Sequence, residues 1–378
     1  MKRIYLDHNA TTPLAAEALD AMLPFMREDY GNPSSMHWHG QRARSAAEQA
    51  REQVAKLIGA EASEIVFTAS GTESDNMALR GVAARTSEPR RRILTTPVEH
   101  HAVVHTVGAL GDEGYPIEFL TVDGDGRLDL DALERTLDER TALVSVMLAN
   151  NETGVVQPVR EAARLAHRAG ALLHCDAVQA AGKQAVDVGE LDVDLLTLSA
   201  HKIYGPKGVG SLYVRRGTAM APMVRGGSQE RNRRAGTTNV PGVVGFGRAA
   251  ALARERLEAD GPRFAGLRDR LEEQLLAMPG ATRNGAAPRV PNTTNVSFEG
   301  CEAEGLLMAL DLAGVAVSTG AACAAGGAEP SHVLKAMKLD PLRVQSSLRL
   351  SLGRSTTEED VDKAARIIRE CVERQRAQ

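Results

Sequence analysis

Short apolar runs alternate with amphipathic stretches between about residues 64 and 214, and this alternation predicts βαβ units. The predicted strands, in chain order, are Glu64–Ala69, Arg92–Thr96, Ala142–Leu148, Ala171–Asp176, Leu195–Ser199 and Gly210–Val214. One unit is especially clear, because a helix begins after Pro158 and ends before Gly170, directly ahead of the next strand. We therefore expect an α/β domain with a mostly parallel sheet flanked by helices.

The pattern changes in the C-terminal third of the chain. A helical stretch rich in alanine, arginine and leucine covers about residues 243–278, and Gly261-Pro262 predicts an interruption within it. Beyond it we predict strands Thr294–Phe298, Val315–Ser318 and Ser347–Leu352, helices Ala303–Leu312 and Ser331–Met337, and a final helix after Thr356-Thr357. The predicted domains are a large one of residues 13–258 and a small α+β domain of residues 1–12 and 259–378.

Composition and charge narrow the class of protein. The 378 residues are 43% hydrophobic and 25% charged, which is typical of a soluble globular protein. A net charge of -4 gives no general attraction to nucleic acid or to an anionic membrane. No apolar run approaches the roughly 20 residues of a membrane-spanning helix, and Asp7 comes too early for a secretory signal. We expect a cytoplasmic protein that binds neither nucleic acid nor membrane.

Polar residues follow five of the predicted strands, at the edge where α/β proteins bind ligands. The five groups are Ser70-Gly71-Thr72-Glu73, Glu99-His100-His101, Asn150-Asn151-Glu152, Asp176 with Gln179, and Ser199-Ala200-His201-Lys202. Any single group is better accounted for as a turn or a helix cap. Five groups on the same edge favour a binding site.

Three of these groups suit one cofactor. Backbone N–H groups and a helix start at Ser70-Gly71-Thr72 favour phosphate. Lys202 follows an apolar strand, so desolvation would lower its pKa from about 10.4 and free the amine for a Schiff base; Lys207, in the same turn, is the alternative. Asp176 also follows an apolar strand and needs a partner such as a pyridinium nitrogen. We predict pyridoxal 5′-phosphate rather than nicotinamide, because no G-x-G-x-x-G follows a strand.

Two further residues are candidates for contact with a substrate. Four cysteines lie far apart without a C-x-x-C pair, which argues against a disulfide framework or a zinc site; they are Cys175, Cys301, Cys323 and Cys371. Cys323 is the single reactive side chain of a glycine- and alanine-rich segment, residues 317–330, and is the candidate nucleophile. Arg349 alternates with leucines on a strand. It is either a solvated outward-facing residue or a clamp for a substrate carboxylate.

Seven longer motifs are spread almost from end to end of the chain: Tyr5-Leu6-Asp7-His8-Asn9-Ala10-Thr11-Thr12, Gly31-Asn32-Pro33-Ser34-Ser35, Thr72-Glu73-Ser74-Asp75-Asn76, Ala149-Asn150-Asn151-Glu152-Thr153-Gly154, Asp176-Ala177-Val178-Gln179, Ser199-Ala200-His201-Lys202 and Glu329-Pro330-Ser331-His332. They resemble the motifs of the NifS/IscS-type cysteine desulfurases, which are pyridoxal-phosphate enzymes of the class V aminotransferase group with fold type I. The agreement of the whole set is far too specific for chance.

The resemblance implies a role for each candidate residue. Lys202 would form the Schiff base with the cofactor, Asp176 would pair with the pyridine nitrogen, and His100 would stack on the ring and assist proton transfer. The substrate carboxylate would contact Asn151, which also lies at the cofactor, and Arg349. The remaining cofactor contacts would be Gln179 at the ring oxygen and, at the phosphate, Gly71, Thr72, Ser199, His201 and, from the second subunit, Thr237.

The implied activity is removal of sulfur from L-cysteine, which leaves L-alanine and a persulfide on Cys323. The sulfur would pass to an acceptor such as an iron–sulfur scaffold protein, and the shared Thr237 implies a homodimer. No resident metal is expected, although Cys323 could transiently ligate a cluster on the scaffold. The alternative is a selenocysteine lyase or a related class V lyase or aminotransferase, which would not need Cys323 for turnover with cysteine. A cofactor-binding protein without turnover, or an α/β domain without cofactor, also stays open.

Overall fold

Strands and helices alternate along most of the chain, and the structure, a computed structural model, describes residues 3–319 and 330–377. The strands are β1 (Ile4–Tyr5), β2 (Ile65–Thr68), β3 (Arg92–Thr95), β4 (Ile117–Phe119), β5 (Thr141–Ser145), β6 (Leu172–Asp176), β7 (Leu195–Ser199), β8 (Gly210–Val214), β9 (Ala281–Arg283), β10 (Thr293–Phe298), β11 (Val315–Ala316) and β12 (Ser347–Ser351). The helices are α1 (Ala16–Arg27), α2 (Trp38–Leu57), α3 (Gly71–Ala83), α4 (His101–Asp112), α5 (Leu130–Thr136), α6 (Val159–Arg168), α7 (Val188–Leu191), α8 (Val240–Leu276), α9 (Ala303–Leu312), α10 (His332–Ala336), α11 (Pro341–Gln345) and α12 (Glu358–Arg376).

Within the described part of the chain, seven strands form the central sheet in the spatial order β2-β8-β7-β6-β5-β3-β4. The run from β4 to β7 is parallel, whereas β8 is antiparallel to both β7 and β2. The predicted mostly parallel sheet is confirmed, and the six predicted strands match β2, β3, β5, β6, β7 and β8 to within three residues. The short edge strand β4 was missed, because two of its three residues are exposed and no apolar run marks it.

The sheet is covered on both faces, which explains why its strands are continuous apolar runs rather than alternating ones. Val54 of α2, Ala163 of α6 and Phe246 of α8 belong to one buried apolar cluster with the sheet. Leu79 of α3 and Val107 of α4 belong to another. The central sheet therefore holds its strand ends rigidly between two helical layers.

A separate apolar core joins the N-terminal strand to the C-terminal third of the chain. Ile4 shares this cluster with Phe298 of β10 and Ile368 of α12. A three-stranded sheet, in the order β12-β10-β9, and the parallel pair β1 and β11 lie over this core. The arrangement supports the predicted small domain of residues 1–12 and 259–378, and this division of the chain stays a prediction.

The predicted interruption at Gly261-Pro262 is wrong, because α8 runs without a break from Val240 to Leu276. A proline inside a helix removes one hydrogen bond and costs about 3 kcal/mol. Packing of α8 against α1, α2 and α12 outweighs that cost, since helices in proteins depend mainly on tertiary burial. Neither α8 nor any other helix within residues 3–319 and 330–377 has the length and apolar character needed to cross a membrane.

Glu272 of α8 connects the helix to the small-domain sheet through hydrogen bonds and ion pairs. Its carboxylate accepts hydrogen bonds from Arg289 Nη1 at 2.8 Å, Arg283 Nη1 at 2.9 Å and Thr294 Oγ1 at 2.6 Å. Burial opposes the charged form, but the bonds from Arg289, Thr294 and Arg283 outweigh it and lower the pKa of Glu272 to about 2. The ion pair with Arg289 is shielded from water on both sides.

Replacing Glu272 with alanine leaves Arg289 buried without its partner, so we expect the free energy of unfolding at pH 7 to fall by about 3 kcal/mol. Urea denaturation measures this change. The folded-state pKa lies below the ordinary 4.5, so the stabilisation is present above pH 4.5 and is lost as the pH falls through 2. Glu273→Ala, exposed on the same helix, is the control. Equal losses in the two variants would contradict the assignment.

Candidate active site

The carboxyl ends of β2, β3, β5, β6 and β7 lie at one edge of the central sheet, as expected for strands of the same direction. The five predicted polar groups begin within five residues of the ends of these strands. The N-terminal segment crosses the same edge, since the backbone N–H and the hydroxyl of Thr12 both donate to the carbonyl of His201. The N-terminal segment therefore covers part of the candidate site.

Lys202 lies in the single turn Ala200–Lys202, directly after β7. Its Nζ donates to the carbonyl oxygens of Asn9 and Ala10, the second at 2.8 Å. These backbone acceptors hold the half-buried amine at the edge of the sheet. Lys207, the alternative, is exposed.

Asp176 ends β6 and is 5% exposed. Its Oδ1 accepts a hydrogen bond from the N–H of Val178 at 2.9 Å. Burial raises the pKa of Asp176 to about 6, while the Val178 N–H and the positive charge of Lys202 oppose that rise. An aspartate in this setting is ionised at neutral pH and is stabilised further by any cation placed beside it.

Two more carboxyl groups, Asp75 and Glu99, are buried close to Asp176. Burial and the charge of Asp176 raise the pKa of Asp75 well above its ordinary value, and burial raises the pKa of Glu99 to about 8. His174, 3.5 Å from Asp75, is kept neutral because burial lowers its pKa to about 3. Like charges in a low-dielectric interior do not all ionise, so Asp176 carries the negative charge and the carboxyls behind it stay protonated.

His100 caps the start of α4. Its Nδ1 accepts a hydrogen bond from the N–H of Ala102 at 3.1 Å, which assigns the proton of the neutral ring to Nε2. Burial, followed by the positive charge of Lys202, lowers the pKa of His100 to about 4. At neutral pH His100 is therefore an uncharged ring with a hydrogen-bond donor at Nε2.

Two glycines, Gly71 and Gly210, leave room beside the start of α3, whose N-cap residue is Ser70. We call this place the cradle. Helix geometry leaves the N–H groups of Gly71 and Thr72 without an acceptor inside the helix. A Cβ added to Gly71 would lie 3.4 Å from Cβ of Ser199, so the end of β7 adjoins this turn. A Cβ on Gly210 would lie only 2.5 Å from the carbonyl carbon of Ser70, so only glycine allows β8 to approach. Amide groups, a hydroxyl and a positive helix end together fit a phosphate group.

Arg349 of β12 is buried at 3% exposure, so the solvated alternative for it is wrong. Its Nη2 donates to Asp7 Oδ1 at 2.7 Å, and its Nη1 donates to the carbonyl of Asn151 at 3.2 Å. Two buried atoms here have no hydrogen-bond partner, Nε of Arg349 and Oδ1 of Asn151. An unsatisfied donor and an unsatisfied acceptor, on two residues that contact each other, favour a ligand that carries both a carboxylate and an N–H or O–H group.

Asn9 forms hydrogen bonds to several residues at this sheet edge. It was not predicted as a site residue. Its Nδ2 donates to Thr293 Oγ1 at 2.9 Å and to the carbonyl of Asn151 at 3.1 Å. Its Oδ1 accepts from Lys183 Nζ at 3.1 Å and from Asn292 Nδ2 at 3.2 Å. The N-terminal motif contained Asn9, but no spacing in the sequence predicts partners that come from such distant parts of the chain.

The remaining predicted residues divide into three groups. Gln179 is buried at the edge, where its Nε2 donates to the carbonyl of Asn9, and His201 Nδ1 lies 3.1 Å from Thr11 Oγ1. Thr237 is exposed, and none of the described hydrogen bonds joins it to the sheet edge. Cys323 lies outside the described residues. The assigned roles of these residues stay predictions.

Comparison with known proteins identifies the family. A family model described as Aminotransferase class-V matches residues 4–364. The chain belongs to the class-V aminotransferase family. A protein of Trichormus azollae named cysteine desulfurase is 49% identical over 380 residues, which cover 100% of this chain and 94% of that protein.

Solved structures agree with this family. A structure titled NifS-like protein has a TM-score of 0.92 and 41% identity, and the match covers 97% of this chain and 98% of the other. A structure titled SspA in complex with cysteine has a TM-score of 0.82 and 34% identity, with 92% and 98% covered. The predicted fold type I and the resemblance to NifS/IscS-type cysteine desulfurases are confirmed. Because class-V enzymes of this kind use pyridoxal phosphate, the cofactor prediction is confirmed as well.

The residues at the edge fit that cofactor in this class-V enzyme. The cradle around Gly71 suits its phosphate, and Asp176 is the ionised carboxyl that a pyridinium nitrogen needs. Lys202 offers the only amine among the predicted site residues, and backbone carbonyls hold it in place.

Gly210→Ala forces a methyl group against the backbone of Ser70, so we expect the affinity for pyridoxal phosphate to fall by roughly tenfold or more, since about 1.4 kcal/mol is a factor of ten. Titration of the cofactor-free protein, followed by absorbance, measures the dissociation constant. Gly108→Ala is the matched control, because Gly108 is exposed on α4 and a Cβ there meets open space. Wild-type affinity in Gly210→Ala would exclude this cradle as the phosphate site.

Proposed function

We propose that this class-V enzyme is a cysteine desulfurase, which takes sulfur from L-cysteine, leaves L-alanine and carries the sulfur as a persulfide on Cys323. The observation that carries the proposal is that Arg349 Nε and Asn151 Oδ1 are both buried without a partner, and that Asn151 follows β5 at the sheet edge that also carries Lys202 and Asp176. Such a pair suits a free amino acid. The names of the relatives, and the structure titled as a complex with cysteine, support cysteine as that amino acid.

Substrate binding begins with Arg349. Asp7 holds one end of its guanidinium, and the carbonyl of Asn151 holds the other, so the side chain is positioned before the substrate arrives. The α-carboxylate would take up the buried N–H at Nε, which otherwise stays unpaired. The orientation of the amino acid would therefore be set by a guanidinium that other residues already hold in place.

Proton transfer falls to Lys202 and His100. Pyridoxal phosphate, when bound, would supply an electron sink for the pair released at Cα, and ionised Asp176 would strengthen that capacity by pairing with the ring nitrogen. The Lys202 amine would accept the proton from Cα. Neutral His100 keeps its proton at Nε2, where it serves as a donor rather than as an acceptor.

The sulfur step requires the thiolate of Cys323. The thiolate attacks the substrate sulfur, so that a sulfur–sulfur bond forms and the bond between Cβ and sulfur breaks. The electron pair of the broken bond stays with the three-carbon fragment, and protonation converts it to alanine. Sulfur is oxidised by as much as Cβ is reduced, so no outside oxidant or reductant is needed until the persulfide is discharged.

Three finer points belong to the same proposal. Exposed Thr237 would complete the phosphate site of a second copy of the chain in a homodimer. The persulfide would pass to an acceptor protein such as an iron–sulfur scaffold, in the cytoplasm. Cys323 as a transient ligand of a cluster on that scaffold is part of this prediction.

Release of alanine and sulfide from L-cysteine in the presence of dithiothreitol tests the proposal. We expect wild-type protein to be active and Cys323→Ala to lose roughly 100-fold or more, because the nucleophile is gone. The variant should keep its bound cofactor. Cys301→Ala is the control, because this half-buried thiol, whose pKa burial raises, has no part in the reaction.

Two other outcomes would overturn the proposal. Full activity in Cys323→Ala would indicate a lyase of the selenocysteine lyase type, which needs no thiol of its own. Inactivity of both proteins, with cofactor bound, would point to another substrate or to a binding protein without turnover.

Arg349→Lys removes the planar guanidinium that Asp7 and Asn151 orient, so we expect KM for L-cysteine to rise roughly tenfold or more while kcat changes less. Steady-state kinetics at saturating and limiting cysteine separate the two constants. Arg366→Lys, exposed on α12, is the matched control. An unchanged KM would remove Arg349 from the substrate site.

A further inference from the structure

Arg234 is a half-buried arginine close to the cradle, and nothing in the proposed reaction uses it. Its Nε donates to Glu73 Oε1 at 2.8 Å, and its Nη2 donates to Glu73 Oε2 at 3.3 Å. The same Oε2 accepts a hydrogen bond from the N–H of Ala69 at 2.7 Å. Glu73 lies in the first turn of α3, at the same helix end as Gly71 and Thr72, whose N–H groups belong to the cradle.

A carboxylate at this helix end competes with a phosphate. The positive end of a helix stabilises either anion, and two anions at one end repel each other. The repulsion is stronger where protein excludes water, and the side chains of Arg234 and Glu73 are only 22% and 14% exposed. Among residues 3–319 and 330–377, Arg234 is the only cationic residue that forms an ion pair with Glu73.

A second ion pair holds the segment that carries Arg234. Glu230 Oε2 accepts hydrogen bonds from Arg51 Nη1 at 2.6 Å and from the N–H of Phe67 at 3.0 Å, and the side chains of Glu230 and Arg51 are each 6% exposed. Glu230 and the two residues after it have φ between 45° and 63°, a left-handed conformation that persists only when its surroundings enforce it. We therefore expect this segment to keep its position when the guanidinium of Arg234 is removed.

Other titratable groups lie on the elements packed around the cradle. Asp75 of α3 is protonated, because burial and the charge of Asp176 raise its pKa well above the ordinary value. Asp176 is ionised, and the positive charge of Lys202 stabilises it. His201 is uncharged at neutral pH, because burial, followed by the charges of Lys202 and Lys207, lowers its pKa to about 4. All of these groups are retained when the ion pair is altered, so a change in cofactor affinity reports the ion pair itself.

We propose that Arg234 is a positioning residue for the cofactor phosphate, because it neutralises Glu73 and holds that carboxylate at the N–H of Ala69. The positive end of α3 is then left to the phosphate instead of being shared with an uncompensated carboxylate. Arg234 acts through Glu73 and need not contact the phosphate. The inference rests on the cradle as the phosphate site, and it is independent of which amino acid is the substrate.

Arg234→Met tests the inference, because methionine keeps much of the length of the side chain without its charge. We expect the affinity of the cofactor-free full-length protein for pyridoxal phosphate to fall roughly tenfold. The loss should shrink in about 1 M salt, which screens the repulsion. Pyridoxal, which lacks the phosphate, should bind equally well to both proteins. Titration followed by absorbance measures each dissociation constant.

Glu73→Gln separates charge from structure. Glutamine can still accept hydrogen bonds from the N–H of Ala69 and from Arg234, but it carries no charge. We expect this variant to bind pyridoxal phosphate at least as tightly as the wild type. The double variant, Arg234→Met with Glu73→Gln, should recover most of the affinity lost in Arg234→Met, whereas a loss caused by displacement of the segment would persist.

Arg80→Met is the matched control, because Arg80 lies in the last turn of the same helix and pairs with Glu113. It should leave the affinity unchanged. Wild-type affinity in Arg234→Met, shown to be folded by circular dichroism, would overturn the inference. An equal loss for pyridoxal, or no recovery in the double variant, would do the same. If the cradle itself is not the phosphate site, Gly210→Ala will also keep wild-type affinity, which distinguishes the two failures.

Discussion

The hydrogen bonds of Asn9 are the constraint on which the rest of the site depends. One buried side chain and its carbonyl join the N-terminal segment to the lysine after β7, to the turn after β6 and to the start of β10. Thr293 and Lys183 are buried and Lys202 is half-buried, so breaking one of these bonds would leave polar atoms unsatisfied largely away from water. The hydrogen bonds of Asn9 therefore connect the small-domain strand β10 to the edge of the central sheet that carries Lys202.

Burial then decides the charges. Asp176, Asp75 and Glu99 lie so near one another in a dry interior that only the best-stabilised carboxyl ionises, and this is Asp176. Burial also keeps His100 neutral and lowers the pKa of Lys183 well below its ordinary value. The positions of these groups thus give an ionised Asp176, a neutral His100 and a buried amine, Lys183, with a lowered pKa. An anion, a neutral imidazole and an amine that can exist uncharged are the groups that proton transfer at an amino acid uses.

The order of apolar runs was enough to predict the strands of the central sheet, because a parallel sheet covered on both faces leaves a continuous hydrophobic signature. It was also enough to place polar groups at one edge, since parallel strands end together. It failed at Gly261-Pro262, where local preference opposes the helix but packing on both sides of α8 preserves it. It also missed β4, a short edge strand with little to bury.

By itself, the sequence determined the fold class, the family and the chemical types gathered after the strands, because these depend on local pattern and on motifs written in consecutive residues. Only the tertiary structure decided that Arg349 is buried against Asn151, that Asn9 links Lys183 to Lys202, and which carboxyl is ionised. Those properties arise from contacts between residues far apart in the chain. Hydrogen bonds and desolvation act through space, and no spacing along a sequence encodes them.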